Sequence, residues 1–118
     1  MTDEFGLELA SQQGLELAAV GQEVLVDNDL VRVWAIRLQP GESQAFHLHR
    51  HPYLVVSIRG DANQVETIFG EKRDTLEPSG NVVYRGEQGP VHRLTNKSDE
   101  EYECRLIELK SREWNFEQ

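Results

Sequence analysis

A chain of 118 residues is the size of a single domain and can bury one core. Its 38% hydrophobic and 28% charged residues describe a globular protein rather than a disordered one. The net charge of −9 argues against nucleic acid, whose phosphates require clustered Lys and Arg, and against docking onto anionic lipid. No apolar run approaches the ~20 residues of a membrane span. The acidic start Met1-Thr2-Asp3-Glu4 is unlike a signal peptide, so a cytoplasmic location is expected. Cys104 is the sole cysteine, which rules out an intramolecular disulfide; its strand-like surroundings make it a buried, unreactive thiol.

Residues 1–21 read as an N-terminal arm or short helix lying on the body of the domain or on a second subunit. The unit Gly6-Leu7-Glu8-Leu9-Ala10 recurs as Gly14-Leu15-Glu16-Leu17-Ala18, too short and too few to be a repeat architecture. Gly14 argues against one continuous helix there. From Gln22 onward the pattern is β. Strands are predicted at 23–26, 30–38, 43–49, 53–59, 64–69, 75–77, 81–85, 91–95 and 102–110. Between them lie turn signals: Asp27-Asn28-Asp29, Pro40-Gly41, the corner Arg50-His51-Pro52, and Gly60-Asp61-Ala62-Asn63. Gly70-Glu71-Lys72-Arg73-Asp74 reads as a hairpin loop, followed by breaks at Pro78-Ser79-Gly80 and Gly86-Glu87-Gln88-Gly89-Pro90. Residues 22–111 are therefore expected to be an all-β sandwich or barrel of jelly-roll type. The tail, 112–118, carries Trp114 and Phe116, which need cover from the body or from a partner.

Three of the four histidines form a pattern. His47 and His49 share one face of a strand, because strand side chains alternate with period two. Two residues advance about 6.6 Å, a gap that two imidazoles can close over one ion. His92, on another strand, can complete a facial set, with Asn96 four positions on. The plainer reading, three hydrogen-bonded structural histidines, is the less favoured. His51 would lie about 13 Å from His47 on a straight strand, and Pro52 bends the chain, so a rim position is expected for it. Arg37, Arg59, Arg85 and Arg105 lie in strands, where an inward-facing one could fork onto a substrate carboxylate, although a rim salt bridge is the favoured reading for each individually. Arg59 shares the parity of Tyr53. Arg93 alternates with His92 and should point away.

These residues resemble the motifs of a small single-domain cupin over residues 24–110. In its first motif, G-x5-H-x-H-x(3,4)-E-x6-G, Gly41, His47, His49 and Gly60 fall in register, with Tyr53 where the glutamate is expected. In its second, G-x5-P-x-G-x2-H-x3-N, Gly89, His92 and Asn96 match. Glu87 replaces the proline, and the leading glycine is one position off, at Gly80. The general run is also similar to the cupin group associated with β-alanine degradation. The resemblance implies a cupin-type jelly-roll β-barrel binding a divalent ion (Fe, Mn, Ni or Zn) through His47, His49 and His92, and it implies a homodimer.

Tyr53 departs from the family pattern. With an ordinary pKa near 10 it is expected to be neutral, as a hydrogen-bond donor beside the metal first, a phenolate ligand second, and packing third. The function expected is a metal-dependent enzyme on a small anionic or chelating molecule. Three-histidine dioxygenase chemistry is slightly favoured over Lewis-acid isomerase, lyase or hydrolase chemistry, with Tyr53 or Arg59 steadying developing negative charge. No general base is evident. The alternative is a non-catalytic barrel that binds or senses a small ligand.

Overall fold

The β pattern resolves into two antiparallel sheets in the computed structural model, which describes residues 2–110. A short helix, α1 (Leu7–Gln12), precedes strands β1 (Glu23–Asp27), β2 (Val31–Leu38), β3 (Tyr53–Arg59) and β4 (Ala62–Thr67). These are followed by β5 (Lys72–Leu76), β6 (Val82–Arg85), β7 (His92–Asn96) and β8 (Tyr102–Leu109). One sheet has the order β1-β2-β8-β3-β6 and the other β5-β4-β7. Trp114, Phe116 and the rest of the tail lie outside the described residues.

Alternation builds the core. On β2 Ile36 and Leu38, and on β8 Tyr102, Cys104 and Leu106, face inward and are buried. Trp34, Tyr53, Val55 and, from the second sheet, Leu94 pack against them. Gly60 ends β3 with φ +138°, where an added Cβ would stand 2.6 Å from Tyr102 Cδ1, so the turn closes directly over the core.

The N-terminal segment covers its own domain. Ala10 on α1 is buried with Leu48, Ile68 and Val91, and Phe5, Leu7, Leu9 and Phe46 pack around them. Asp3 accepts hydrogen bonds from the backbone N–H groups of Glu8 (3.1 Å) and Leu9 (2.9 Å), which the first turn leaves unpaired. Gly14 is the helix stop. It sits at φ +69°, with Gly14 N–H donating to Ser11 O and Leu15 N–H to Ala10 O, the paired bonds of a glycine-terminated helix end.

Two sequence expectations change. Residues 43–49 form no continuous strand; they run beside β7 through isolated bridges, Ser43 to Thr95 and His47 to His92. Gln44 N–H donates to Leu94 O, so three steps from Gln44 to His47 span two on β7. One extra residue therefore bulges there and re-aims the chain. Of the charged run expected as a hairpin loop, Gly70 and Glu71 do turn the chain, but Lys72-Arg73-Asp74 begin β5, paired with β4 from Ala62↔Leu76 to Glu66↔Lys72. Edge strands carry such charges because these discourage pairing with other chains, so the loop signal misleads here.

Asn96 ties these pieces together. Fully buried, it donates through Nδ2 to Leu38 O (2.9 Å) and Glu100 O (2.8 Å), and Oδ1 accepts from Ser98 N (2.9 Å). Asn96→Ala is expected to cost about 2–4 kcal/mol by stranding these buried groups. Thermal unfolding should report it as a Tm drop of more than about 10 °C. A drop within about 2 °C would contradict the structural role.

Candidate metal centre

The sequence Phe46-His47-Leu48-His49 sorts its side chains by alternation. Phe46 and Leu48 join the apolar cluster under α1, while His47 and His49 turn to the opposite side and line a cavity between the sheets. Backbone pairing fixes the third member: His47 N–H donates to His92 O and His92 N–H to His47 O, both at 3.0 Å. Such a mutually bonded pair places its two side chains on one face. Ring centroids lie 4.7 Å apart for His47 and His92, 5.0 Å for His47 and His49, and 5.1 Å for His49 and His92.

The donor set fits a metal ion. One ligand nitrogen from each of His47, His49 and His92 lies within 4.8 Å of the others. His47 Nδ1 is 2.9 Å from Ala45 O, and His92 Nδ1 is 2.8 Å from Pro90 O. A carbonyl oxygen only accepts, so both Nδ1 atoms carry the proton and both Nε2 atoms present lone pairs. Among the three rings, His49 Nδ1 is a fully buried atom with no hydrogen-bond partner.

Burial keeps the imidazoles neutral. It pushes His47 down to about 4, helped by His92 and opposed by the Ala45 carbonyl. Burial likewise holds His49 well below 6.5, with His47 and His92 adding to the effect. For His92, burial again dominates; the Pro90 carbonyl opposes it, and Arg73 and Arg85 reinforce it. Neutral imidazole is the form that ligates.

Tyr53 stacks on His49, with centroids 3.9 Å apart and planes at 17°. The contact holds the His49 ring, so packing, the last of the three expected roles, is the one this geometry displays. Burial pushes the Tyr53 phenol up to about 12, opposed by Arg85 and Arg73, which disfavours the phenolate.

The cavity has a volume of about 700 Å³. Its apolar wall includes Ile36, Val55 and Leu106, and Cys104 lines it as a thiol that burial pushes up to about 12. Arg59 is a correction: it does not line the cavity. Its register against β8 slips between Ser57 and Arg59, turning Arg59 outward to Glu101 and Glu103, each at 2.7 Å. His51 is neither in the cluster nor on the cavity wall. Arg93 points away as expected, onto Glu66 (2.7 Å) and over the Phe46 ring.

Sequence reasoning missed Glu77, Gln44 and Arg73, all on the cavity wall. Glu77 is buried, with Oε2 accepting from Asn63 Nδ2 (2.6 Å) and Thr75 Oγ1 (2.9 Å). The alternation Arg73, Thr75, Glu77 was the available signal, cut short by starting the strand at Thr75 and reading Arg73 as part of the hairpin loop. Gln44 needed the bulge, which no residue type announces.

No family model matches the chain, and no curated protein matches it. Solved structures do. A cupin domain from Bordetella pertussis Tohama I is 29% identical, with 82% of this chain and 99% of that one covered and a TM-score of 0.68. An RmlC-like cupin family protein with a double-stranded β-helix fold, from Methanocaldococcus jannaschii, is 22% identical over 80% and 86%, with a TM-score of 0.58. An uncharacterized conserved protein with a double-stranded β-helix domain, from Klebsiella pneumoniae, is 19% identical over 80% and 83%, with a TM-score of 0.59. Two facing antiparallel sheets and these neighbours give the chain the double-stranded β-helix fold of a small cupin, with a histidine cluster that could hold a metal ion.

Proposed function

We propose that this cupin is a metal-dependent enzyme acting on a small anionic or chelating molecule in the cavity. The observation that carries the reading is the convergence of three neutral imidazoles on one wall of a 700 Å³ cavity. A divalent ion, when bound, supplies Lewis acidity or, as iron, redox chemistry with dioxygen.

The chain's own groups do the rest. His47, His49 and His92 hold the ion and contribute no charge, so its full positive charge faces the ligand and favours an anion. The Tyr53 stack keeps His49 in its ligating orientation. Ile36, Val55 and Leu106 limit water on the opposite wall. Glu77 is the buried carboxylate of the cavity, and its two bonds to Oε2 leave Oε1 as the atom placed to take a proton. Those same two bonds also suit a fixed structural group, which supports a second reading: a barrel that holds a ligand without turnover.

Protein purified without added metal should carry a divalent ion, and His47→Ala and His92→Ala should each lose it by elemental analysis. Stoichiometric metal surviving both substitutions would overturn the ligand set. The metal-free protein should also be pH-sensitive. Its folded histidines titrate below 6.5 and their unfolded counterparts at about 6.5, so the unfolded chain binds more protons between the two values. Stability contributed by the neutral rings is complete above about 6.5 and is lost as pH falls toward about 4. Denaturant midpoints across that window should fall in wild type and fall less in His47→Asn. Parallel profiles for the two proteins would contradict the assignment.

A further inference from the structure

Seven strand arginines of this acidic chain fall into two groups. Arg32, Arg37, Arg59, Arg93 and Arg105 each pair with a carboxylate. The guanidinium groups of Arg73 and Arg85 make no hydrogen bond or ion pair with any described residue, although the chain carries 21 Asp and Glu against 12 Lys and Arg. Both line the cavity that holds the histidine cluster. An arginine left without a carboxylate amid such a surplus is in a position that a ligand anion can complete.

Their places in the sheets explain the arrangement. Arg73 lies on β5 and Arg85 on β6, the edge strands of the two different sheets. Arg73 is paired across the ladder with Val65, and Arg85 with Tyr53, and both of those partners line the cavity. Cross-strand partners share a face, so each guanidinium stem starts on the cavity side. Both residues are exposed, which puts them at the mouth, while His47 and His49 are buried at depth. Both also act electrostatically on Tyr53 and His92, so the two charges bear on the same enclosed space. Glu71, Lys72 and Glu87 line the same rim. Glu77 lines the cavity as well, and none of these three carboxylates is paired with Arg73 or Arg85.

The geometry points to Arg73 and Arg85 as a two-armed carboxylate anchor at the cavity mouth, selecting a small dicarboxylate whose other end faces the histidine cluster. The inference rests on the metal reading for the inner end of the ligand and adds the outer end. An arginine fork matches the planar carboxylate with two parallel N–H···O bonds, which a lysine cannot reproduce. One arm from each sheet also makes the anchor depend on the two sheets being correctly faced.

Calorimetric titration with malonate, succinate and glutarate, with acetate as the single-charge control, tests the anchor on purified protein before and after chelator treatment. At least one dicarboxylate should bind the untreated protein about tenfold or more tighter than acetate. Arg73→Gln and Arg85→Gln should each remove most of that preference while leaving acetate within about threefold of wild type. Arg85→Lys should restore only part of it, and Arg37→Gln, on the outer face, should change nothing. Circular dichroism of each variant checks that it folds; a misfolded glutamine variant is replaced in the comparison by the lysine variant at the same position. Dicarboxylates binding no tighter than acetate, or a preference unchanged in both arginine variants, overturns the anchor. Metal retained alongside such a result leaves the metal reading standing. Conversely, an arginine-dependent preference in protein that never holds metal supports the anchor and overturns the metal reading.

Discussion

The mutual backbone hydrogen bonds between His47 and His92, 3.0 Å in each direction, are the constraint on which the site depends. The segment carrying His47 and His49 has no continuous ladder of its own and touches β7 only through isolated bridges. Those two bonds place the imidazoles of two distant stretches on one face. Behind them, Phe46 and Leu48 are packed beneath α1, so the same four residues are held from one side by hydrogen bonds and from the other by apolar burial. A ligand set supported in both ways is pre-organised, since neither ring can turn away without breaking a bond or exposing an apolar neighbour. The N-terminal helix thus contributes to the site without touching it.

Charge is sorted as carefully as hydrophobicity. On the outer face of the larger sheet Glu103 gathers Arg37, Arg59 and Arg105, and these pairs balance one another. Within the cavity the histidines are neutral through burial, and at its mouth Arg73 and Arg85 stand without carboxylate partners. Lys72, Arg73 and Arg85 stand against Glu71, Glu77 and Glu87 on the cavity lining, an even balance in a chain whose formal net charge is −9. A small anion therefore meets less repulsion at the cavity than over the rest of this acidic surface, and finds two guanidinium groups without carboxylate partners at its mouth.

The chemistry-bearing histidines were readable because their cue is local: two imidazoles at strand spacing and a third on a separate strand. The core of β2 and β8 was readable for the same reason, since alternation along a central strand survives any change in its neighbours. What failed to show were places where pairing overrides local pattern. The extra residue between Gln44 and His47 brings Gln44 onto the cavity wall against simple parity. The slip between Ser57 and Arg59 does the reverse, removing Arg59 from the face of Tyr53. A charged edge strand looked like a loop and concealed Arg73. Tyr53 was located correctly, but its stack on His49 depends on a ring orientation that sequence does not encode.

The most direct test of the three-histidine centre is the imidazole nitrogen NMR spectrum of metal-free protein at neutral pH, followed through titration with Zn²⁺. Neutral rings are expected for His47, His49 and His92, with Nδ1 protonated in His47 and His92. One nitrogen of each of the three rings should shift together, complete at one equivalent, while His51 stays unmoved. Three unchanged rings, or His51 shifting in place of any one of them, would contradict the three-histidine centre.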